Sequence, residues 1–175
     1  MKSLTRFELD SLLTVALKHS ELDYLMLTCI FNHGLRVSEA VGLTRTNVVD
    51  GHLVIQRLKG SRKTSQPLLG NEKLGLEVLA VATTGRFFLA EYKPSVARVI
   101  VWRRIQKYGK EAGIPQFKCH PHALKHTTGR LGYEGGMGIP ELQSYLGHQN
   151  GKNTMVYLEA SEEQACSAFA AAVGK

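Results

Sequence analysis

Two histidines, a lysine and a tyrosine fall in fixed order in the last third of this chain. They lie in His120-Pro121-His122-Ala123-Leu124-Lys125-His126, in Tyr145-Leu146-Gly147-His148 and in Thr154-Met155-Val156-Tyr157. Upstream stand Gly34-Leu35-Arg36-Val37-Ser38-Glu39 and the basic cluster Lys59-Gly60-Ser61-Arg62-Lys63. Cations, imidazoles and one phenol are suited to handling a phosphodiester without metal. Breaking such a bond needs a nucleophile, positive charge on the non-bridging oxygens and a proton for the departing oxygen. Tyr157 fits the first need, since a phenol forms an ester that conserves bond energy and rejoining then needs no ATP. Arg36 fits the second, because its planar fork engages two oxygens and stays charged. Each piece alone has a plainer reading. Tyr157 is then a packing tyrosine near a helix end, Arg36 pairs with Glu39, and each histidine is capped or buried.

These residues need elements to hold them. Thr5 and Glu8 form a capping box, and the helix behind it would bury Leu9, Leu12, Leu13, Ala16 and Leu17. A second helix runs from about Glu21 to His33 and stops at Gly34. Ser38 caps a short third helix ending near Leu43. The pattern then turns β-prone: Leu53 to Leu58 pairs with Thr64 to Leu69 across a turn at Gly60-Ser61, and Val48-Val49 supplies a third short strand. Asn71 to Ala82 reads as helix and Gly85 to Pro94 as irregular chain. A basic helix from Ser95 to about Ala112 would pack through Val99, Trp102, Ile105 and Tyr108. Helices at about 121–134, 140–147 and 152–158 complete the set. The expected fold class is mainly α with a small antiparallel β-sheet, an α+β arrangement.

Composition bounds the rest. The 175 residues suit one domain, and 43% apolar with 21% charged is ordinary for a globular chain. No apolar run approaches the roughly 20 residues of a membrane span. Met1 to Arg6 lacks the apolar core of a signal peptide, so the cytoplasm is the expected compartment and no membrane association is expected. The net charge of +7 favours a polyanion such as nucleic acid. An RNA-binding module is disfavoured because its usual aromatic signatures are missing. Cys29, Cys119 and Cys166 share no ligand spacing. Cys119 with His120, His122 and His126 lacks a second pair at finger-like spacing, so neither metal nor cofactor is expected.

From about Leu4 to Tyr157 the ordered set resembles the catalytic domain of the tyrosine recombinases, the phage integrase family. Cys29 to Gly34, Arg57-Leu58-Lys59 and Pro67-Leu68-Leu69 look particularly like its short fimbrial invertases. The resemblance implies that family's catalytic-domain fold and site-specific cutting and rejoining of double-stranded DNA through a 3′-phosphotyrosyl link, giving integration, excision or inversion. It assigns Tyr157 as nucleophile and Arg36 to the scissile phosphate. Lys59 becomes the proton donor to the leaving 5′-oxygen, with Lys63 as competitor, and His122 and His148 bind phosphate or assist proton transfer. His126 reads as structural support.

The departure is Lys125, where the family has arginine. It keeps the charge and loses the fork. Three readings follow: phosphate binding at a reduced rate, an alteration introduced to trap a state, or a DNA-binding regulatory homologue with lost catalysis. Nothing near in sequence compensates, since Arg130 points to another helix face. A type IB topoisomerase-like activity is a further alternative. Arg98, Arg103, Arg104, Lys107 and Lys110 spread along one helix, of which a subset would grip DNA phosphates. By resemblance, residues 1–175 form one catalytic domain, the family's N-terminal core-DNA-binding domain is absent, and the tail at 160–175 docks on a neighbouring protomer in a tetramer on DNA.

Overall fold

The computed structural model describes residues 3–57, 61–155 and 170. Eight α-helices, two short 3-10 turns and one small sheet are seen among the described residues. Helix α1 (Arg6–His19) starts at the expected capping box: Thr5 Oγ1 accepts from Glu8 N at 3.1 Å and the Glu8 carboxylate accepts from Thr5 N at 2.7 Å. Its Leu9, Leu12 and Ala16 are buried, whereas Leu17, expected in the core, is 47% exposed. Helix α2 (Glu21–Asn32) is buried on most faces from Leu25 to Ile30, which is why it reads as apolar all round.

Helix α3 (Val37–Ala40) differs from expectation at its start. Arg36, not Ser38, is the N-cap residue, and the Glu39 carboxylate accepts from Arg36 N at 2.7 Å. Strands β1 (Val48–Val49), β2 (His52–Ile55) and β3 (Thr64–Pro67) form an antiparallel sheet in that order, with Leu53 opposite Gln66 and Ile55 opposite Thr64. The two main strands are shorter than the sequence indicates, and Leu58 to Gly60 lie outside the described residues.

Helix α4 (Gly70–Ala82) leads through irregular chain to α5 (Pro94–Glu111). Here the expected packing face is corrected. Ala97, Val101, Ile105 and Tyr108 are buried, while Val99 and Trp102 are 48% and 47% exposed. The stripe 97, 101, 105, 108 keeps to one side of the helix, whereas steps of three from 99 rotate about 60° each and leave it. Helices α6 (Pro121–Glu134), α7 (Ile139–Leu146) and α8 (Lys152–Met155) follow. The expected helix at 152–158 is described only to Met155, and the tail stripe of Ala165, Phe169 and Val173 lies outside the described residues. Helix α2 packs against α1 and α6, α1 also meets α5, and α7 leans on β3. The sheet and α7 thereby sit at the α2–α6 edge of the core.

Candidate active site

Two helix ends of the same kind deliver Arg36 and His148. At the end of α2, Leu35 N donates to Ile30 O at 3.0 Å and Gly34 N to Phe31 O at 3.2 Å, with Gly34 at φ +55°. At the end of α7, His148 N donates to Gln143 O at 3.0 Å and Gly147 N to Ser144 O at 3.1 Å, with Gly147 at φ +68°. Both are the paired 6→1 and 5→2 closure that a left-handed residue permits, and glycine adopts it without a Cβ clash. A Cβ at Gly34 would stand 2.5 Å from Leu146 Cδ2, so the two turns are also in direct contact.

Helix α6 supplies the third element. His120 caps it, its Nδ1 accepting from Ala123 N at 3.1 Å, and Pro121 opens the first turn. His122, Lys125 and His126 then share one side at i, i+3 and i+4. His122 is exposed and lines one cleft with Arg36, Ser38 and Arg98, which reaches in from α5. His126 is half-buried, its ring centroid 6.1 Å from that of His122.

Lys125 is buried, and its Nζ donates to the Gly34 carbonyl at 2.5 Å. Burial, followed by repulsion from Arg57 and Arg36, lowers its pKa to about 7, against the pull of Glu39. His148 is buried too. Its Nδ1 lies 3.0 Å from Thr154 Oγ1, and Ser61 pairs with it in an isolated antiparallel bridge. Burial first, then the charges of Lys125, Arg36 and Arg57, lower its pKa to about 4. It is therefore a neutral imidazole at neutral pH.

The Arg36 guanidinium donates through Nη1 to Glu39 Oε1 at 3.0 Å and through Nη1 and Nη2 to Ser61 Oγ at 3.2 Å. Pairing with Glu39 and facing the cleft are therefore not alternatives. Arg36 does both, and its side chain is 28% exposed. Lys63 lines a different recess, with Gln66 and Tyr145. Lys59 and Tyr157 lie outside the described residues, although Ser61 and Thr154 close beside them in sequence touch Arg36 and His148.

One residue at the centre of this arrangement was not a sequence candidate. Arg57 is 3% exposed and donates to Glu39 Oε2 and the Gly34 carbonyl at 3.2 Å each, to His33 O at 2.8 Å, Tyr145 O at 3.3 Å and Thr64 Oγ1 at 3.0 Å. The signal was present: Leu53, Ile55 and Arg57 alternate along the inward face of the strand, so an arginine continues a buried row. Beneath it, His33 Nδ1 meets Gln66 Oε1 and Nε2 meets Glu72 Oε1, both at 2.8 Å, and Gln66 Nε2 reaches Tyr145 O at 2.6 Å. Elsewhere, Arg104 pairs with Asp23 rather than facing outward, and Arg130 turns to Glu134 and the Leu4 carbonyl, away from Lys125. Among the described residues no group of three or more His, Cys, Asp or Glu could hold a metal, and no helix is long and apolar enough to cross a membrane.

Comparison with known proteins places this arrangement. Residues 2–164 match the model of the phage integrase family. The chain is 31% identical over 170 residues to tyrosine recombinase XerA of Thermococcus onnurineus, covering 93% of this chain and 59% of that protein. It is 30% identical over 145 residues to the type 1 fimbriae regulatory protein FimE of Escherichia coli K12, covering 77% of this chain and 73% of FimE. A crystal structure of XerA recombinase superposes with a TM-score of 0.77 at 21% identity, over 98% of this chain and 65% of that one, a likeness of fold. The chain thus spans under two thirds of the length of its XerA relative.

Proposed function

The chain belongs to the phage integrase family, and we propose that it is a site-specific recombinase that cuts and rejoins double-stranded DNA through a covalent 3′-phosphotyrosyl intermediate. The observation that carries this reading is that Arg36, Lys125 and His148, delivered by three separate elements, stand close enough for the Lys125 and Arg36 charges to act on His148, with Arg36 open to the cleft that His122 lines. Three cations there, Arg36, Arg57 and Lys125, surround the single Glu39 carboxylate, an excess of positive charge suited to a phosphodiester.

In the proposed step the Tyr157 oxygen attacks phosphorus and forms the new ester as the bond to the 5′-oxygen breaks. Lys59 gives that oxygen its proton, with Lys63 the competing donor. Neutral His148 receives the phenolic proton, and Arg36 with His122 and Lys125 neutralises the non-bridging oxygens. Reversal with a different 5′-hydroxyl reseals the strand, so no nucleotide or metal is consumed. The protein works in the cytoplasm as a homo-oligomer, a tetramer joined through the segment at 160–175, with Arg98 and other α5 cations on backbone phosphates.

The test is a nicked duplex incubated with the protein and then denatured. A protein–DNA adduct that survives denaturation is expected, and it must vanish in Tyr157→Phe. A second reading has one observation in its favour: Lys125 is engaged with a carbonyl and lacks the fork, which suits a DNA-binding homologue without catalysis. Specific binding without any adduct would select that reading, and relaxation of supercoils without sequence preference would select a topoisomerase.

A further inference from the structure

We infer that Arg57 is a positioning residue: through the Glu39 carboxylate it fixes the Arg36 guanidinium, and through main-chain carbonyls it clamps together the two glycine turns that present Arg36 and His148. The inference rests on the recombinase reading above.

The hydrogen-bond inventory separates Arg57 from the residues that would touch DNA. An arginine has five N–H donors. Arg57 makes five bonds, one from Nε and two from each terminal nitrogen, and all the acceptors are protein atoms. With its side chain fully covered, it has no donor left for a phosphate. Arg36 is the opposite case. It is partly open to the cleft, and its Nε makes no bond among the described residues.

The acceptors show what Arg57 holds. Glu39 Oε2 takes bonds from Arg57 and from Arg36 N while Oε1 takes the Arg36 guanidinium, so this one carboxylate fixes Arg36 at both ends of the side chain. The His33 and Gly34 carbonyls belong to the α2 end, and the Tyr145 carbonyl belongs to the last turn of α7, two residues before Gly147. At Gly147 an added Cβ would come within 3.0 Å of Arg57 Cγ, so the α7 turn is seated on the Arg57 stem. A planar fork is needed to reach acceptors on three elements at once, and a lysine could not do so.

The test uses the full chain and a nicked duplex selected from a randomised pool by its denaturation-resistant attachment to the wild type. Arg57→Lys keeps the charge and loses the fork. It should lower the single-turnover attachment rate at saturating protein roughly ten- to a hundredfold, while the Kd for the same duplex stays within about threefold. In an Arg36→Ala background, where there is no guanidinium to position, Arg57→Lys should cost less than about threefold, because residues acting as one unit are non-additive. Glu39→Gln should repeat the pattern, and it serves in place of Arg57→Lys if that variant does not melt cooperatively. An equal loss with and without Arg36, or a loss confined to binding, overturns the inference and leaves the recombinase reading intact. Recovery of no attached duplex by the wild type overturns that reading instead, and this inference with it.

Discussion

Lys125 Nζ and Arg57 Nη1 donate to the same acceptor, the carbonyl of Gly34, at 2.5 and 3.2 Å. Two cations are thus held side by side behind the turn that carries Arg36. Burial first, and then the neighbouring Arg57 charge, lowers the pKa of Lys125 to about 7, which determines what a substitution there must do.

Lys125→Arg should accelerate covalent attachment. A forked cation can bind the phosphate as well as the carbonyl, and one charge-assisted bond of about 1.5–3 kcal/mol corresponds to about one to two decades in rate. Single-turnover kinetics on the nicked duplex check this. The pH profile gives a second signature. Lys125 loses its charge as pH rises through its pKa, so the wild-type rate should fall on the alkaline side, with a midpoint above 7 once a phosphate is bound. The arginine variant should keep its rate across that range.

Stability should rise with pH in two windows. Lys125 is lowered from 10.5 to about 7 and His148 from 6.5 to about 4, so in each window the unfolded chain holds the proton that the folded chain has released. The corresponding stability is present above the unfolded value and is lost as pH falls through the folded one. Urea midpoints should therefore climb between pH 4 and 6.5 and again between 7 and 10.5. Lys125→Met should abolish the upper rise and, by removing one of the charges that lower His148, narrow the lower one.

Glu72→Ala should destabilise the fold by about 3–5 kcal/mol, the range for removing one member of a buried pair. Glu72 is fully buried and accepts from His33 Nε2, Asn32 Nδ2 and Leu69 N, so its loss strands the buried His33 ring and removes the partner of two part-buried donors. Urea unfolding measures the change. The same variant should slow covalent attachment, because His33 and Gln66 support the carbonyls that Arg57 grips.

Gly34→Ala should cost about 1–3 kcal/mol from the left-handed backbone alone, with more from a Cβ placed 2.5 Å from Leu146 Cδ2. Thermal melting checks the stability. The rate on bound duplex should fall further than binding does, since the carbonyl shared by Lys125 and Arg57 would move.

Much of this was legible in the sequence. The Thr5 and Glu8 pair fixed the start of α1, and Gly34 announced the end of α2, because those signals are local and chemical. The order of Arg36, Lys125 and His148 indicated a shared site, and the fold brings the three near one another, with the Lys125 and Arg36 charges acting on His148. The failures arose where size was mistaken for burial. On α5 the small Ala97 faces the core and the large Trp102 faces out, because angular position decides which side is buried. Leu17 lies beside an open apolar groove with Leu22 and Val78, a feature no single helix pattern reveals. Ser38 is a good capping residue by type, yet the cap lies two residues earlier at Arg36, whose backbone is bonded to Glu39. Arg57 was overlooked because arginine is normally read as solvated. Only its place in the alternating row of Leu53 and Ile55 marked it as buried.

The most direct measurement is mass spectrometry of the attached species after nuclease and protease digestion. The account predicts a nucleotide remnant on the peptide containing Tyr157, joined through its phenolic oxygen to a 3′-phosphate. A remnant on any other residue, or attachment that persists in Tyr157→Phe, would contradict it.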